Sequence, residues 1–374
     1  MQRKTAIVIG AGILGIATAR ALALKGFAVS VFERSPKALG ASVRNFGMVW
    51  PIGQPAGKLY EWAMHSRNCW METGKAAGLW YDPVGSLHLA YHDDEWLVLQ
   101  ELFELFLKEG RHVQLLNPEQ VRKISPAARQ ERCRGGLYSS EEIIVDPREA
   151  LAILPAYLES ALGVHFFWGK AVTEVFPGYI RTGDQKVCAD QVFICSGSDF
   201  ETLYPDTFNR FALTKCKLQM MRMTEEGSPR IGPAICGGLS LIHYASFKAA
   251  ASLNILKERY ERELPELLKW GIHVMVSQNR GGQLTVGDSH EYGLATDPFD
   301  RKHINDLILG YLGEFATFQN PKIIENWNGV YGKFTDGQTD LFYSPDKDVF
   351  ILNGVGGAGM TLSFGFAEKM INSL

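Results

Sequence analysis

The sequence predicts an α/β protein in which a parallel sheet is combined with a second region of mixed α and β structure. Three features predict it: a strand, glycine-rich loop and helix near the start of the chain, an apolar strand closing on small residues in the middle, and a second strand, glycine-rich loop and helix at the end. At 374 residues the chain is also long enough for two domains.

The first unit begins with a short apolar strand and a glycine-rich loop. The strand, Ala6 to Ile9, runs into a G-x-G-x-x-G pattern at Gly10, Gly12 and Gly15. The first glycine allows a tight turn, the second lets a pyrophosphate approach the backbone, and the third lets the next helix pack closely on the strand. The pattern therefore predicts a dinucleotide site in a Rossmann-like unit.

A helix and a second strand complete this unit. The helix is predicted from Ile13 to Lys25, and its N-terminal amides, that of Leu14 included, direct partial positive charge at the phosphates. The strand from Ala28 to Phe32 ends at Glu33, whose carboxylate can accept hydrogen bonds from ribose hydroxyls. Because all these parts occur in order, a dinucleotide site is favoured over an ordinary glycine-rich turn.

The segment from Gly40 to Trp50 mixes small residues with an arginine, an amide and aromatic residues. Small residues would let a cofactor approach closely, and Arg44 could bind a phosphate or a ring carbonyl. An ordinary surface connection remains the alternative, since loops of this kind carry function only in some proteins.

The middle of the chain predicts one more strand beside the ligand and the elements of the second region. The apolar strand Gln191 to Cys195 closes on Ser196 and Gly197, as strands beside a bound nucleotide do. The other predicted elements are helices over 59–78, 93–110, 147–162 and 300–318, a charged helix within 246–270, β-rich segments over 213–223 and 271–287, and a turn over 287–293.

The end of the chain repeats the pattern of its start. A strand from Asp348 to Asn353 leads into a glycine-rich turn at Gly354–Gly359 and then a helix from Met360 to Leu374. A glycine loop before a helix again places free amides and positive polarity at one point. The sequence therefore predicts two such sites, one near each end of the chain.

Composition excludes several other classes of protein. A net charge of −3 gives no electrostatic reason to expect nucleic acid, and the six cysteines form no C-x-x-C pair, so reduced thiols without a metal site are expected. The start Met1-Gln2-Arg3-Lys4 and the apolar run after it imitate a signal peptide, but the predicted strand and loop account for them. No apolar run of membrane-spanning length occurs, so we expect a cytoplasmic protein without an integral membrane span.

With these motifs the sequence resembles the FAD-dependent amine oxidoreductases of the D-amino acid oxidase-like family, which includes glycine oxidase, sarcosine oxidase and D-amino acid dehydrogenase. The resemblance covers essentially the whole chain and includes W-N-G-V-Y-G-K-F-T-D-G over 327–337. It implies a Rossmann-like FAD domain formed by 1–79, 140–202 and 330–374, and an α+β substrate domain with a mixed or antiparallel sheet formed by 80–139 and 203–329.

The resemblance also assigns site residues, with FAD held non-covalently. FAD contacts are expected at Gly10, Gly12, Ile13, Leu14, Gly15, Glu33, Arg34, Ser42, Arg44, Asn45, Phe46, Gly47, Val172, Ser196, Gly197, Gly354, Gly356, Gly357, Ala358, Gly359, Met360 and Thr361. Substrate contacts are expected at Met48, Trp50, Lys217, Gln219, Tyr244 and Tyr331, and catalytic roles at Tyr331, Lys333 and His243.

The implied chemistry is oxidation of the carbon–nitrogen bond of a small amine. A hydride would pass from the carbon beside a deprotonated nitrogen to flavin N5, and the imine would then hydrolyse. Oxygen or a quinone would reoxidise the flavin, the quinone in a D-amino acid dehydrogenase-type enzyme. The sequence does not choose between these acceptors, and it does not fix the oligomeric state.

Two departures from the family pattern bear on the substrate. Relatives that oxidise free amino acids have an arginine where this chain has Tyr331, so the two-point clamp on a carboxylate is missing. Gly329 stands where monomeric sarcosine oxidases attach flavin through a cysteine, which excludes that covalent link. The blocks V-R-N-F-G-M-V-W and G-D-S-H-E-Y-G resemble a subgroup associated with phosphonate breakdown, so an aminoalkylphosphonate or its N-methyl derivative is a candidate, bound through Lys217, His243 or Lys333.

Two other functions are compatible with the same N-terminal loop. A nicotinamide-dependent dehydrogenase would use that loop but leave the second glycine loop without a ligand. A flavoprotein that binds FAD without catalysis would contain both loops but would not be reduced by amines.

Overall fold

The structure is a computed structural model that describes residues 3–374, so the Met1-Gln2 part of the signal-like start lies outside the described residues. The helices are α1 (Ile13–Leu24), α2 (Lys58–Ala77), α3 (Asp93–Lys108), α4 (Pro118–Ile124), α5 (Pro147–Leu162), α6 (Pro205–Phe208), α7 (Leu253–Glu263), α8 (Pro265–Lys269), α9 (Lys302–Phe315) and α10 (Gly359–Asn372). The strands are β1 (Thr5–Ile9), β2 (Ala28–Glu33), β3 (Met48–Val49), β4 (Tyr81–Asp82), β5 (Ser86–Ala90), β6 (Val113–Leu116), β7 (Gly135–Ser139), β8 (Ile143–Val145), β9 (His165–Trp168), β10 (Glu174–Phe176), β11 (Tyr179–Thr182), β12 (Gln185–Cys188), β13 (Gln191–Ile194), β14 (Leu213–Thr224), β15 (Ala234–Cys236), β16 (Met275–Gln278), β17 (Leu284–Gly287), β18 (Glu291–Tyr292), β19 (Lys322–Phe334), β20 (Leu341–Asp346) and β21 (Val349–Asn353).

The first sheet is parallel except at one edge. Its strand order is β20-β21-β13-β1-β2-β9, and β20 pairs antiparallel with β21. In register, Ile9 lies opposite both Phe32 and Ile194, and Ile194 lies opposite Ile351. Four strands therefore end level with one another at their carboxyl ends, where parallel sheets bind ligands.

Helices cover the first sheet with a buried apolar layer. The core on one face includes Val8, Phe193 and residues of α1, α2, α5 and α10, whereas Ile7 and Ile194 belong to the core on the other face. Both faces of the strands are buried, as expected for a parallel sheet in an α/β protein.

A second sheet is mixed and largely antiparallel. Its order is β18-β14-β17-β16-β15-β5-β7-β6, and β19 pairs with β14 over almost the full length of both strands. Helices α3, α4, α7 and α9 contribute to the core that packs on it. The predicted α/β class with a second region of mixed or antiparallel sheet is therefore confirmed.

The first sheet takes its strands from residues 5–33, 165–194 and 341–353, and the second from segments between 86 and 334. The short sheet β3-β8-β4 lies between them in sequence. The division into two domains at 1–79, 140–202 and 330–374 against 80–139 and 203–329 stays a prediction.

The charged helix expected within 246–270 is α7, which contains Lys257 to Glu263, and a second short helix, α8, follows it because Pro265 lacks the amide that would continue α7. One local prediction was wrong in detail. The turn expected over 287–293 contains β18, in which Glu291 and Tyr292 pair with Lys217 and Cys216.

Across residues 3–374, no helix combines the length and apolar composition that a bilayer requires. The cytoplasmic location stays a prediction.

Helices α10 and α2 approach each other closely at Gly365. A Cβ at this position would lie 2.4 Å from the carbonyl oxygen of Trp62, and the Gly365 amide donates to Ser66 Oγ at 2.8 Å. Four residues along α2, Trp70 Nε1 donates to the Met360 carbonyl at 2.8 Å. The position of α10 and of the loop before it therefore depends on this contact.

We expect Gly365→Ala to destabilise the protein by about 1–3 kcal/mol, because the added methyl forces the two helices apart. Urea unfolding followed by circular dichroism measures this change. Gly310→Ala in α9 is the matched control, since no atom lies within 4 Å of its Cβ position and alanine favours the helix. Equal unfolding midpoints for the Gly365 variant and the unmodified protein would contradict the close contact.

Candidate functional site

The loop after β1 and the first turn of α1 each contain one position with room for glycine alone. Gly10 has φ +101°, and a Cβ there would lie 2.4 Å from the carbonyl oxygen of Cys195. A Cβ on Gly15 would lie 1.9 Å from the carbonyl oxygen of Gly10. Both distances are far below van der Waals contact, so the turn and the close packing of α1 require these glycines.

Two side chains hold this loop in place. The Glu33 carboxylate accepts hydrogen bonds from the amides of Ala11 and Ser35, both at 2.9 Å, and Ser42 Oγ accepts one from the Ile13 amide at 3.0 Å. Oxygen atoms of an ionised carboxylate accept several hydrogen bonds each. Glu33 can thus also accept from the hydroxyls of a ribose at this edge of the sheet.

The loops after β13 and β21 are joined by one asparagine. Asn353 Nδ2 donates to the Gly197 carbonyl at 2.9 Å, and Asn353 Oδ1 accepts from the Gly354 amide at 2.7 Å. Gly354 has φ +76°, and Phe334 lies 2.3 Å from its Cβ position. The turn before α10 is therefore fixed to the loop that follows the middle strand.

The segment from Gly40 to Trp50 spans the space between the loops. Arg44 Nη1 donates to the Asn328 carbonyl at 3.1 Å, and the Trp50 amide donates to Thr361 Oγ1 in α10 at 2.9 Å. Ser277 Oγ donates to the Phe46 carbonyl at 2.7 Å. These bonds tie the segment to two strands of the second sheet, β16 and β19, and to α10, so it is a wall of the site.

A cavity of about 670 Å³ connects the two ends of the site. Its wall includes Glu33 and the first glycine loop at one end, and Tyr331, Tyr244 and His243 at the other. The long shape, the glycines and the N-terminal amides of α1 and α10 fit an extended dinucleotide such as FAD. The predicted residues on its wall are Gly10, Gly12, Ile13, Leu14, Gly15, Glu33, Arg34, Ser42, Arg44, Asn45, Phe46, Met48, Trp50, Val172, Ser196, Gly197, His243, Tyr244, Tyr331, Gly356, Gly357, Ala358, Gly359, Met360 and Thr361.

Two predicted cofactor residues lie behind the wall. Gly47 has φ +73°, and its Cβ position is 1.9 Å from the Val145 carbonyl oxygen, so it packs on β8. Gly354 packs on Phe334 as described above. Both shape the loops that carry the neighbouring wall residues.

Three predicted substrate or catalytic residues are directed away from the cavity. Side chains alternate along β14, so Leu218 and Met220 line the cavity while Lys217 and Gln219 face the other side. Lys217 Nζ donates to the Asp297 carbonyl, and Gln219 Nε2 donates to the Arg301 carbonyl.

Lys333 also falls outside the cavity wall. Its Nζ lies 3.3 Å from the hydroxyl of Tyr292 and donates to it. The structure therefore corrects the expected substrate contacts of Lys217 and Gln219 and the expected catalytic placement of Lys333.

The substrate end of the cavity contains titratable side chains that the sequence predictions missed. His273, Asp288 and His290 line it beside His243. One ring nitrogen from each of the three histidines lies within 4.8 Å of the other two. Asp288 and His290 belong to the motif G-D-S-H-E-Y-G, which could have indicated both as site residues. His273 lies in an apolar stretch, and no motif there indicates a site residue.

Burial controls the charge of this end. It lowers the pKa of His243 and His273 well below the usual value and that of His290 to about 4, and it raises the pKa of the Asp288 carboxyl well above its usual range. Burial likewise raises the pKa of the Tyr244 and Tyr331 phenols, so both remain neutral hydrogen-bond donors.

Known proteins resemble this chain in sequence and in fold. The family model described as "DAO: FAD dependent oxidoreductase" matches residues 5–372. A D-amino acid dehydrogenase of Helicobacter pylori (strain J99 / ATCC 700824) is 26% identical over 287 residues, which are 61% of this chain and 68% of that protein.

Solved structures share the fold over nearly the whole chain. L-proline dehydrogenase from P. horikoshii has a TM-score of 0.81 and 18% identity, and the match covers 99% of this chain and 93% of that one. Glycine oxidase from Bacillus cereus ATCC 14579 has a TM-score of 0.78 and 17% identity, and the match covers 100% and 94%. At these identities the structures show a common fold.

We expect Glu33→Gln to weaken FAD binding by at least about tenfold, because its NH₂ must face the backbone amide of Ala11 or Ser35, which is itself a donor, and because the negative charge is lost. Flavin absorbance per mole of purified protein and fluorescence titration of the FAD-free protein measure this change. Glu174→Gln on the exposed strand β10 is the control. Unchanged FAD affinity in the Glu33 variant would show that this carboxylate takes no part in the site.

Proposed function

Because this chain belongs to the DAO family of FAD-dependent oxidoreductases, we propose that it oxidises the carbon–nitrogen bond of a small amine that also carries an acidic group. The observation that supports this proposal most is the continuity of one cavity from the Gly10–Gly15 loop to the pocket around Tyr331, Tyr244 and His243. The relatives and structural neighbours include enzymes named for amino acids as substrates, which supports an amino acid-like amine.

FAD, when bound, would accept one hydride, which carries two electrons, from the substrate. The chain's own residues create the setting for this. The N-terminal amides of α10, around Gly359 to Thr361, supply partial positive charge on the cavity wall beside Tyr331. Gly357 leaves room for the Tyr331 hydroxyl, which lies 3.3 Å from the position that a Cβ would take.

The substrate pocket combines an apolar wall with a few polar groups. Leu218, Met220 and Met275 form apolar wall, and Trp50 adds an aromatic surface. Such walls exclude water and leave orientation to a few hydrogen-bonding groups. The neutral phenol of Tyr331 can donate one hydrogen bond to a substrate oxygen.

We propose an aminoalkylphosphonate or its N-methyl derivative as the substrate rather than a simple α-amino acid. A single phenol donor cannot form the two-point charged contact that a carboxylate receives from arginine. The histidines near Tyr331 suit an acidic group that can bind several hydrogen-bond donors at once.

The substrate class can be tested by anaerobic flavin reduction with a panel of amines. We expect 2-aminoethylphosphonate or its N-methyl form to bleach the flavin band faster than glycine, sarcosine or D-alanine do, and propylamine, which lacks an acidic group, to be slowest. Reduction by D-alanine alone would contradict the phosphonate proposal, and reduction by none of these compounds would contradict amine oxidation. Admitting oxygen or a quinone to the reduced protein identifies the electron acceptor.

We expect Tyr331→Phe to raise KM about tenfold with a smaller change in kcat, because the variant loses one hydrogen bond to the substrate. Steady-state kinetics with the best amine of the panel measure both constants. Tyr343→Phe in β20 removes a hydroxyl outside the cavity wall and should leave both constants unchanged. If both variants behave alike, Tyr331 does not contact the substrate.

A further inference from the structure

We propose that His243, His273 and His290 form the subsite that holds the acidic group of the substrate, and that an anion binding there brings protons into the cluster. The inference rests on the proposed function, because it names what would hold the acidic end of the amine. It adds two residues, His273 and His290, to the one histidine expected from the sequence.

The three rings come together from three separate segments. His243 follows the short helix Gly238–Ile242, His273 precedes β16, and His290 precedes β18. The ring centroids lie 3.7 Å apart for His243 and His273, 4.9 Å for His243 and His290, and 5.1 Å for His273 and His290. All three line the cavity, so one small ligand group can reach the whole cluster.

Other cationic side chains on the cavity wall are engaged elsewhere. Lys170 and Arg34 lie at the Glu33 end, where the Arg34 guanidinium pairs with Asp199. The Arg44 guanidinium donates to the Asn328 carbonyl. Among the described residues of the wall, the histidines are therefore the groups at the substrate end that can become cationic.

Buried polar atoms without a hydrogen-bond partner mark the same place. Trp50 Nε1 and His273 Nδ1 belong to side chains at most 4% exposed, and neither atom has a partner within the described chain. Buried polar atoms are rarely left unpaired. An oxyanion in the cavity could accept hydrogen bonds from the indole and from protonated imidazoles.

The tautomer of His290 explains why binding must involve a proton. His290 Nδ1 lies 2.8 Å from the Gly271 carbonyl oxygen, so the neutral ring donates there and leaves a lone pair on Nε2. A lone pair repels an anion. Since burial holds the pKa of His290 near 4, the ring is neutral at pH 7, and Nε2 donates to an anion only after it takes up a proton.

Neighbouring groups set the charge that the cluster can reach. Asp288 Oδ1 lies 3.3 Å from His273 Nε2, and Asp288 Oδ2 lies 3.8 Å from His290 Nε2, so one carboxyl group faces both rings. Lys333 opposes protonation of all three histidines, and Lys248 opposes that of His243. One carboxyl group can balance one protonated ring, so the cluster gains net positive charge only when a second ring takes up a proton.

A metal ion would use the same atoms differently. Two ring nitrogens on one zinc ion are about 3.4 Å apart and their rings point at the ion. Here the rings of His243 and His273 are tilted by 40° to each other, and their centroids lie only 3.7 Å apart. The two rings are in direct contact, whereas an ion between two zinc-bound rings holds them further apart, so the arrangement favours an anion over a metal.

Calorimetry of the FAD-loaded protein with ethanesulfonate tests the proposal, because this probe stays ionised and cannot itself take up a proton. Titrations in two buffers of different ionisation enthalpy count the protons. We expect uptake of about one proton, and an apparent Kd that rises about tenfold per unit between about pH 6 and 8, since the free histidines are neutral there. Ethylphosphonate and propionate then show whether a phosphonate or a carboxylate binds more tightly.

His290→Gln should weaken ethanesulfonate binding at least tenfold and abolish the pH dependence. His303→Gln, on the exposed side of α9, should change neither. If the His290 variant loses its FAD, the number of protons taken up by the unmodified protein on anion binding still tests the proposal.

Binding without proton uptake, or no binding of any of the three anions, would overturn the subsite, as would a stoichiometric divalent metal that is lost with His243→Asn. Anion binding with proton uptake but no reduction by amines would keep the subsite and contradict the proposed function. Flavin reduction by amines without anion binding would keep the proposed function and contradict the subsite.

Discussion

The parallel alignment of β21, β13, β1 and β2 is the constraint from which the site follows. Residues at or near their carboxyl ends lie in one row, Ile351 beside Ile194, Ile194 beside Ile9, and Ile9 beside Phe32. All four connections therefore emerge at the same edge, although they come from the start, the middle and the end of the chain. The glycines then allow close approach, and the two helix N-termini place their amides toward the same cavity.

The substrate end of the cavity is formed by the second sheet. Its wall includes residues of β14, β16 and β19 and Asp288, which follows β17, and along β14 the side chains alternate between the cavity and the opposite face. A low-dielectric pocket lined by methionine, leucine and tryptophan keeps its ionisable groups neutral until a ligand arrives. The first half of the site thus holds fixed partial charges, and the second half can change its charge with its ligand.

Local sequence patterns predicted the parts of the site that depend on local geometry. Residues only a few positions apart define the glycine loops, α1, α10 and the position of Glu33. The sequence therefore predicted these elements and their order. The side of β14 that faces the cavity was not readable, because residues on both faces of this strand are buried, and Lys217 and Gln219 were therefore assigned to the wrong side.

The histidine cluster shows the same limit more strongly. His273 and Asp288 exchange two backbone hydrogen bonds across the strand pair β16–β17, and this pairing is what places their side chains together. No sequence motif near His273 indicates this pairing with Asp288. The domain boundaries and the contacts to FAD and substrate remain predictions that the geometry supports.

Hydrogen–deuterium exchange on the FAD-loaded and FAD-free protein measures whether both ends of the chain meet the same cofactor. Shared contact predicts that FAD slows exchange in peptides covering 10–16 and 354–362 together, while the exposed hairpin of β10 to β12 exchanges equally in both forms. Slower exchange at 10–16 with no change at 354–362 would contradict a site shared by the two glycine loops.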